Sequence, residues 1–80
     1  MKTIYKYKLG ELLLPAGAKV LTAGKQNDEF YIWAEIDTEQ TPEHRTFAVY
    51  GTGWDMPEEN RCYIATVFDN GFVWHVYEVV

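Results

Sequence analysis

Serine is absent from the 80-residue chain, and cysteine occurs once, as Cys62. The first absence removes nucleophilic chemistry of the Ser–His–Asp and Ser–Lys kinds. The second removes an internal disulfide and any structural zinc site built on two thiolates, and it suits a reducing compartment. Neither a Gly-x-x-x-x-Gly-Lys loop nor a Gly-x-Gly-x-x-Gly turn is present, so two common phosphate cradles are missing. No apolar run nears the ~20 residues that cross a bilayer. The start, Met1-Lys2-Thr3-Ile4-Tyr5-Lys6, holds no signal-peptide core. The expectation is a cytoplasmic protein with no membrane association.

What the chain does have is rings and uneven charge. Four Phe, three Trp and six Tyr make it 16% aromatic, which helps a short chain build a core. One domain, residues 1–80, is the expected count. Residues 1–25 carry five Lys and one Glu, net +4, whereas residues 26–80 carry two Arg and eleven acids, net −9. The overall charge of −5 argues against duplex nucleic acid, which needs a broad basic face. It leaves room for a small anionic ligand at the N-terminal lysines, or for a basic protein facing the acidic remainder.

Strand signals dominate. Thr3–Lys8 alternates rings with lysines. Leu12-Leu13-Leu14 stops at Pro15, and Pro15-Ala16-Gly17 reads as a turn. Ala18–Lys25 and Glu29–Ile36 flank a hairpin turn at Gln26-Asn27-Asp28, whose length and register stay open. Asp37–Glu43 reads as a loop and Arg45–Tyr50 as a strand. Gly51–Asn60 is the longest loop, with a helical turn allowed over Asp55–Arg61. Asn70-Gly71 is a type I′ hairpin signal joining Cys62–Phe68 to Phe72–Val79. Pairing outward from it sets Val67 against Trp74, Thr66 against His75 and Ile64 against Tyr77. Both hairpin faces are then apolar, which means either burial on both sides or a second subunit on one. The expected fold is all-β: a compact antiparallel sandwich or open barrel of five to seven short strands, in a homo-oligomer.

Candidate ligand-binding residues fall in four places. Tyr5, Lys6 and Lys8 fit a stacking and phosphate-contact strip, or an ordinary strand with lysines in water. Tyr50, Gly51, Thr52, Gly53 and Trp54 offer backbone amides, a hydroxyl and a ring, or a tight strand exit. Arg45 is a fork donor for a phosphate or carboxylate, or half of an ion pair. His75 fits a ligand contact or base, or a bonded partner of Thr66. No catalytic residue, metal site or cofactor is expected. Asp55, Glu58 and Glu59 lack a calcium-loop pattern, and His44, Cys62 and His75 lie on separate segments.

Several fragments together resemble a known family. They are Tyr5-Lys6-Tyr7, Pro15-x-Gly17-Ala18-Lys19-Val20-Leu21, Trp33-Ala34, Arg45-Thr46-Phe47, Tyr50-Gly51-Thr52-Gly53, Pro57 and Trp74-His75-Val76-Tyr77-Glu78. In this order they resemble a group of small uncharacterised phage and prophage proteins that form a domain of unknown function. The loop Leu9-Gly10-Glu11 is shorter here than in those relatives. The resemblance implies a phage accessory protein in the bacterial host cytoplasm and carries over no catalytic residue. The expected function is therefore stoichiometric binding in counter-defence. The protein would sequester a nucleotide-like immune signal or occlude a host protein. A structural phage component and a small hydrolase using His75 are the alternatives.

Overall fold

Two turns with positive φ organise the chain. Asn27 and Asp28 (φ 52° and 63°) form one; Asn70 and Gly71 (φ 46° and 89°) form the other. Both match the right-handed twist of the strands they join. In the computed structural model, which describes residues 1–80, these turns link β3 (Lys19–Gln26) to β4 (Glu29–Asp37) and β6 (Arg61–Asp69) to β7 (Phe72–Val79). The other strands are β1 (Lys2–Lys8), β2 (Glu11–Pro15) and β5 (Pro42–Gly51), and there is no helix. One sheet runs β1-β4-β3 and the second β2-β5-β7-β6. Every pairing is antiparallel. The architecture is an all-β sandwich of seven strands.

The alternating pattern decides what lies between the sheets. Ile32, Ala34 and Ile36 alternate inward on β4 and meet Leu14, Ala18 and Phe47 in one buried cluster. Val67 and Val76 extend the buried set on β6 and β7. Two ion pairs reinforce this thin core. Lys25 Nζ of β3 lies 2.6 Å from Asp69 Oδ2 of β6, joining the sheets. Arg45 grips both oxygens of Glu78 at 2.7 Å and donates to the Ala18 carbonyl at 2.6 Å. That second pair sits inside the sandwich, with 17% and 15% of its side chains exposed.

The structure corrects the sequence reading in three places. First, β5 begins at Pro42, so Pro42-Glu43 is strand rather than loop and His44 continues it. Pro42 faces Pro15 at the end of the β2–β5 ladder, where a missing N–H is tolerated. Second, no helical turn forms over Asp55–Arg61. The Arg61 guanidinium instead holds the Pro57 carbonyl at 2.9 Å. Third, a bulge at Ile64 shifts the register, so Tyr63 rather than Ile64 faces Tyr77. Ile64 is thereby free to pack on the core cluster. Of the two arrangements open for the last hairpin, burial on both faces is excluded within the chain, because the hairpin buries only one face. Its other face carries Tyr63, Thr66, Phe68, Val73, His75 and Tyr77, and Phe68 is 80% exposed.

Candidate functional site: an aromatic cleft at the hairpin end

Gly51, the last residue of β5, pairs with Trp74 of β7. The chain then folds back sharply. Thr52 donates to the Val73 carbonyl through both its N–H (3.2 Å) and its Oγ1 (3.1 Å). Trp54 N–H closes the turn onto the Gly51 carbonyl at 3.1 Å. This lays the Trp54 indole against Gly51 so closely that a Cβ there would sit 2.7 Å from the ring. Only glycine admits that approach.

Trp54 and the β7 rings enclose a cleft of about 360 Å³ at this end of the sandwich. Phe72 and Trp74, two residues apart on one strand face, lie nearly parallel with centroids 5.9 Å apart. Trp54 stands perpendicular to Trp74 at 5.7 Å. Phe30 braces Trp74 from the opposite sheet at 5.7 Å. Trp54 and Phe72 remain 59% and 62% exposed. Gly51, Thr52, Gly71 and Val73 complete the lining, so no ionisable side chain faces the cleft. The Trp74 Nε1 donor is buried beside the Asp69 carboxylate, outside full hydrogen-bond geometry. The nearby Asp69 carboxyl is held below the usual carboxylate range, chiefly by its hydrogen bond from Lys25.

A hydrogen-bonded chain leads from this turn to the outer face of β6 and β7. His75 Nε2 lies 2.8 Å from Thr52 Oγ1 and His75 Nδ1 lies 3.2 Å from Thr66 Oγ1. Tyr63 OH is 2.6 Å from the same Thr66 oxygen. Thr52 Oγ1 also lies 3.1 Å from the Val73 carbonyl, so both ring nitrogens of His75 are engaged by hydroxyls of one hydrogen-bonded chain. Tyr50, beside His75 on β5, donates to Glu59 at 2.6 Å. Tyr77 crosses both Tyr50 and Tyr63 edge-to-face at 5.9 and 5.6 Å.

A family model for a domain of unknown function, DUF7352, matches residues 1–80. The chain belongs to the DUF7352 family. No curated protein and no solved structure matches it.

The DUF7352 domain brings together some of the residues singled out in its sequence and separates others. Gly51, Thr52 and Trp54 line the cleft, and Gly53 lies in the same turn. Tyr50 and His75 stand behind that turn on the outer face. Tyr5 and Lys6 part company, because strand alternation sends Tyr5 to the face of Ala34 and Lys6 to that of Trp33. Lys6 lies 4.5 Å over the Tyr31 ring and bonds Gln26. Lys8 pairs with Glu29 at 2.9 Å. Arg45 is distant in role, its fork closed on Glu78 and Ala18. Sequence reasoning missed Phe72 as a cleft residue, along with Tyr31 and Trp33 beside the lysines. The signal was available: residues two apart on a strand share a face, as do residues directly opposed across a ladder.

Proposed function

We propose that this DUF7352 protein is a non-catalytic accessory protein of phage type that binds a host protein stoichiometrically in the bacterial cytoplasm. The supporting observation is the cleft itself: three aromatic walls, no charged lining, and strong exposure. Exposed clustered rings mark interaction sites. The groups that a nucleotide phosphate would need are engaged elsewhere. Arg45 is saturated by Glu78 and Ala18. The Thr52 amide and hydroxyl are taken by the Val73 carbonyl and the Trp54 amide by Gly51. His75 meets a hydroxyl at each nitrogen, which favours binding over the His–carboxylate hydrolase alternative. The proposal includes a homodimer that covers the outer face of β5, β7 and β6.

One observation favours a second reading. On the outer face of the three-stranded sheet, Lys6 sits over Tyr31, and Tyr31 lies 6.4 Å from Trp33. Rings beside ammonium groups suit a stacked nucleotide. Native mass spectrometry with linear and cyclic nucleotides, followed by affinity capture from host lysate, separates the readings. The first predicts no retained nucleotide and a single host protein whose capture is lost on Trp54→Ala. A retained nucleotide, released by Lys6→Ala, would replace it with the second.

A further inference from the structure

We infer that the cleft is a receptor for a cationic group, such as the ammonium or guanidinium side chain of a basic partner segment. The inference rests on the reading of the cleft as the recognition element and specifies what enters it. Phe72 and Trp74 lie nearly parallel along β7, and Trp54 stands perpendicular to Trp74, so three rings border the opening. Aromatic faces are electron-rich and attract cations, most strongly where tryptophan supplies the face and water is partly excluded. The surroundings agree in sign. No lining residue is charged. The one lysine tied to this end, Lys25, is neutralised by Asp69 at 2.6 Å. Asp55 follows Trp54 and is exposed. Residues 26–80, which include all three rings, carry two Arg against eleven acids. An anion entering here would meet ring faces and no compensating charge. A cation would meet ring faces on a molecule of net charge −5.

The test uses choline and its uncharged isostere 3,3-dimethylbutan-1-ol, titrated into the full chain. The indole N–H resonances of Trp33, Trp54 and Trp74 are followed by NMR. Choline should move the Trp54 and Trp74 signals saturably and leave Trp33 still. The isostere should bind about fivefold more weakly or worse, the margin expected of a cation–ring contribution at a partly open site. Trp54→Ala should abolish the choline response at Trp74. Its ring is largely exposed, so the variant should keep the wild-type backbone spectrum. Equal binding of choline and the isostere would overturn the cationic assignment and leave the cleft as a plain apolar recognition site. Silence of both probes at Trp54 and Trp74 would overturn the assignment and remove the cleft from the proposed function as well. Undiminished choline binding by Trp54→Ala would also overturn it.

Discussion

Single residues carry the site, and two substitutions show how differently they do so. A methyl group at Gly51 would stand 2.7 Å from the Trp54 indole. The ring rather than the backbone gives way, because Trp54 is 59% exposed. Gly51→Ala should therefore open the cleft at a stability cost of about 1 kcal/mol, the low end for overpacking. Urea unfolding should show the small cost, and Trp54 fluorescence should move to the wavelength of a solvated indole. Arg45 behaves in the opposite way. Arg45→Ala strands the Glu78 carboxylate inside the sandwich and should cost about 2–3 kcal/mol, somewhat under the figure for a fully buried pair. Arg45→Lys should recover less than half of that, because an ammonium cannot reproduce the two-pronged grip. A loss below about 0.5 kcal/mol for Arg45→Ala, the level of an exposed pair, would show that the pair contributes nothing to folding. The sharp exit from β5 was legible in the sequence, since Gly-Thr-Gly after a strand reads as a tight turn, whereas the packing of Trp54 on Gly51 was not. The fate of Arg45 was not legible either. One of two arginines in a chain with twelve acids has many partners, and only the fold selects Glu78 and the Ala18 carbonyl.

At the scale of strands and turns, local chemistry specified the hairpins but not the connections between sheets. Asn70-Gly71 was readable because both positions demand positive φ, and its pairing holds from Asp69–Phe72 to Ala65–Val76. The reading failed at Ile64. A bulge inserts one residue without any composition signal, and here it turns Ile64 onto the core. The register of the first hairpin stayed open in the sequence because two- and three-residue loops there give opposite face assignments; the fold resolves it as a two-residue turn, with Gln26 facing Glu29. The β2–β5 pairing was invisible for another reason. It joins residues about thirty positions apart, and its prolines look like breakers until they are placed at a ladder end. Asp28 gives a direct test of the turn argument. It holds φ 63°, where a Cβ is strained and glycine is not. Asp28→Gly should stabilise the protein by about 0.5–1 kcal/mol, with the lower backbone strain outweighing the entropy glycine loses on folding. The equivalent exchange at the other turn, Gly71→Ala, should destabilise by about 1 kcal/mol. Urea midpoints at constant slope would measure both. Destabilisation by Asp28→Gly would mean that the aspartate side chain, not the backbone geometry, holds the first turn.

The whole molecule is a plate, 40 × 29 × 15 Å, with a radius of gyration of 13.0 Å. A compact chain of this length would have about 11.6 Å. Two thin sheets leave both outer faces uncovered, and the two faces differ. The three-stranded sheet presents Lys6 and Lys8 among its rings, a surface at ease in water. The four-stranded sheet presents Leu13, Tyr63 and Phe68, exposed at 57%, 58% and 80%, around the crossed rings of Tyr50 and Tyr77. A face of this size easily accommodates the ~800 Å² that each partner contributes to a standard interface. Placing it against a second copy accounts for aromatic residues that nothing in one chain covers. Sedimentation equilibrium at tens of micromolar, or native mass spectrometry, should give twice the 9.3 kDa chain mass. Phe68→Glu should give a monomer with an unchanged strand spectrum, because Phe68 is almost fully exposed within the chain. The cleft lies at the end of the plate rather than on that face, so the Phe68→Glu monomer should still bind choline as the wild type does. A wild-type protein that sediments as a single chain would remove the dimer, and the outer tyrosines would then be free to serve the proposed partner.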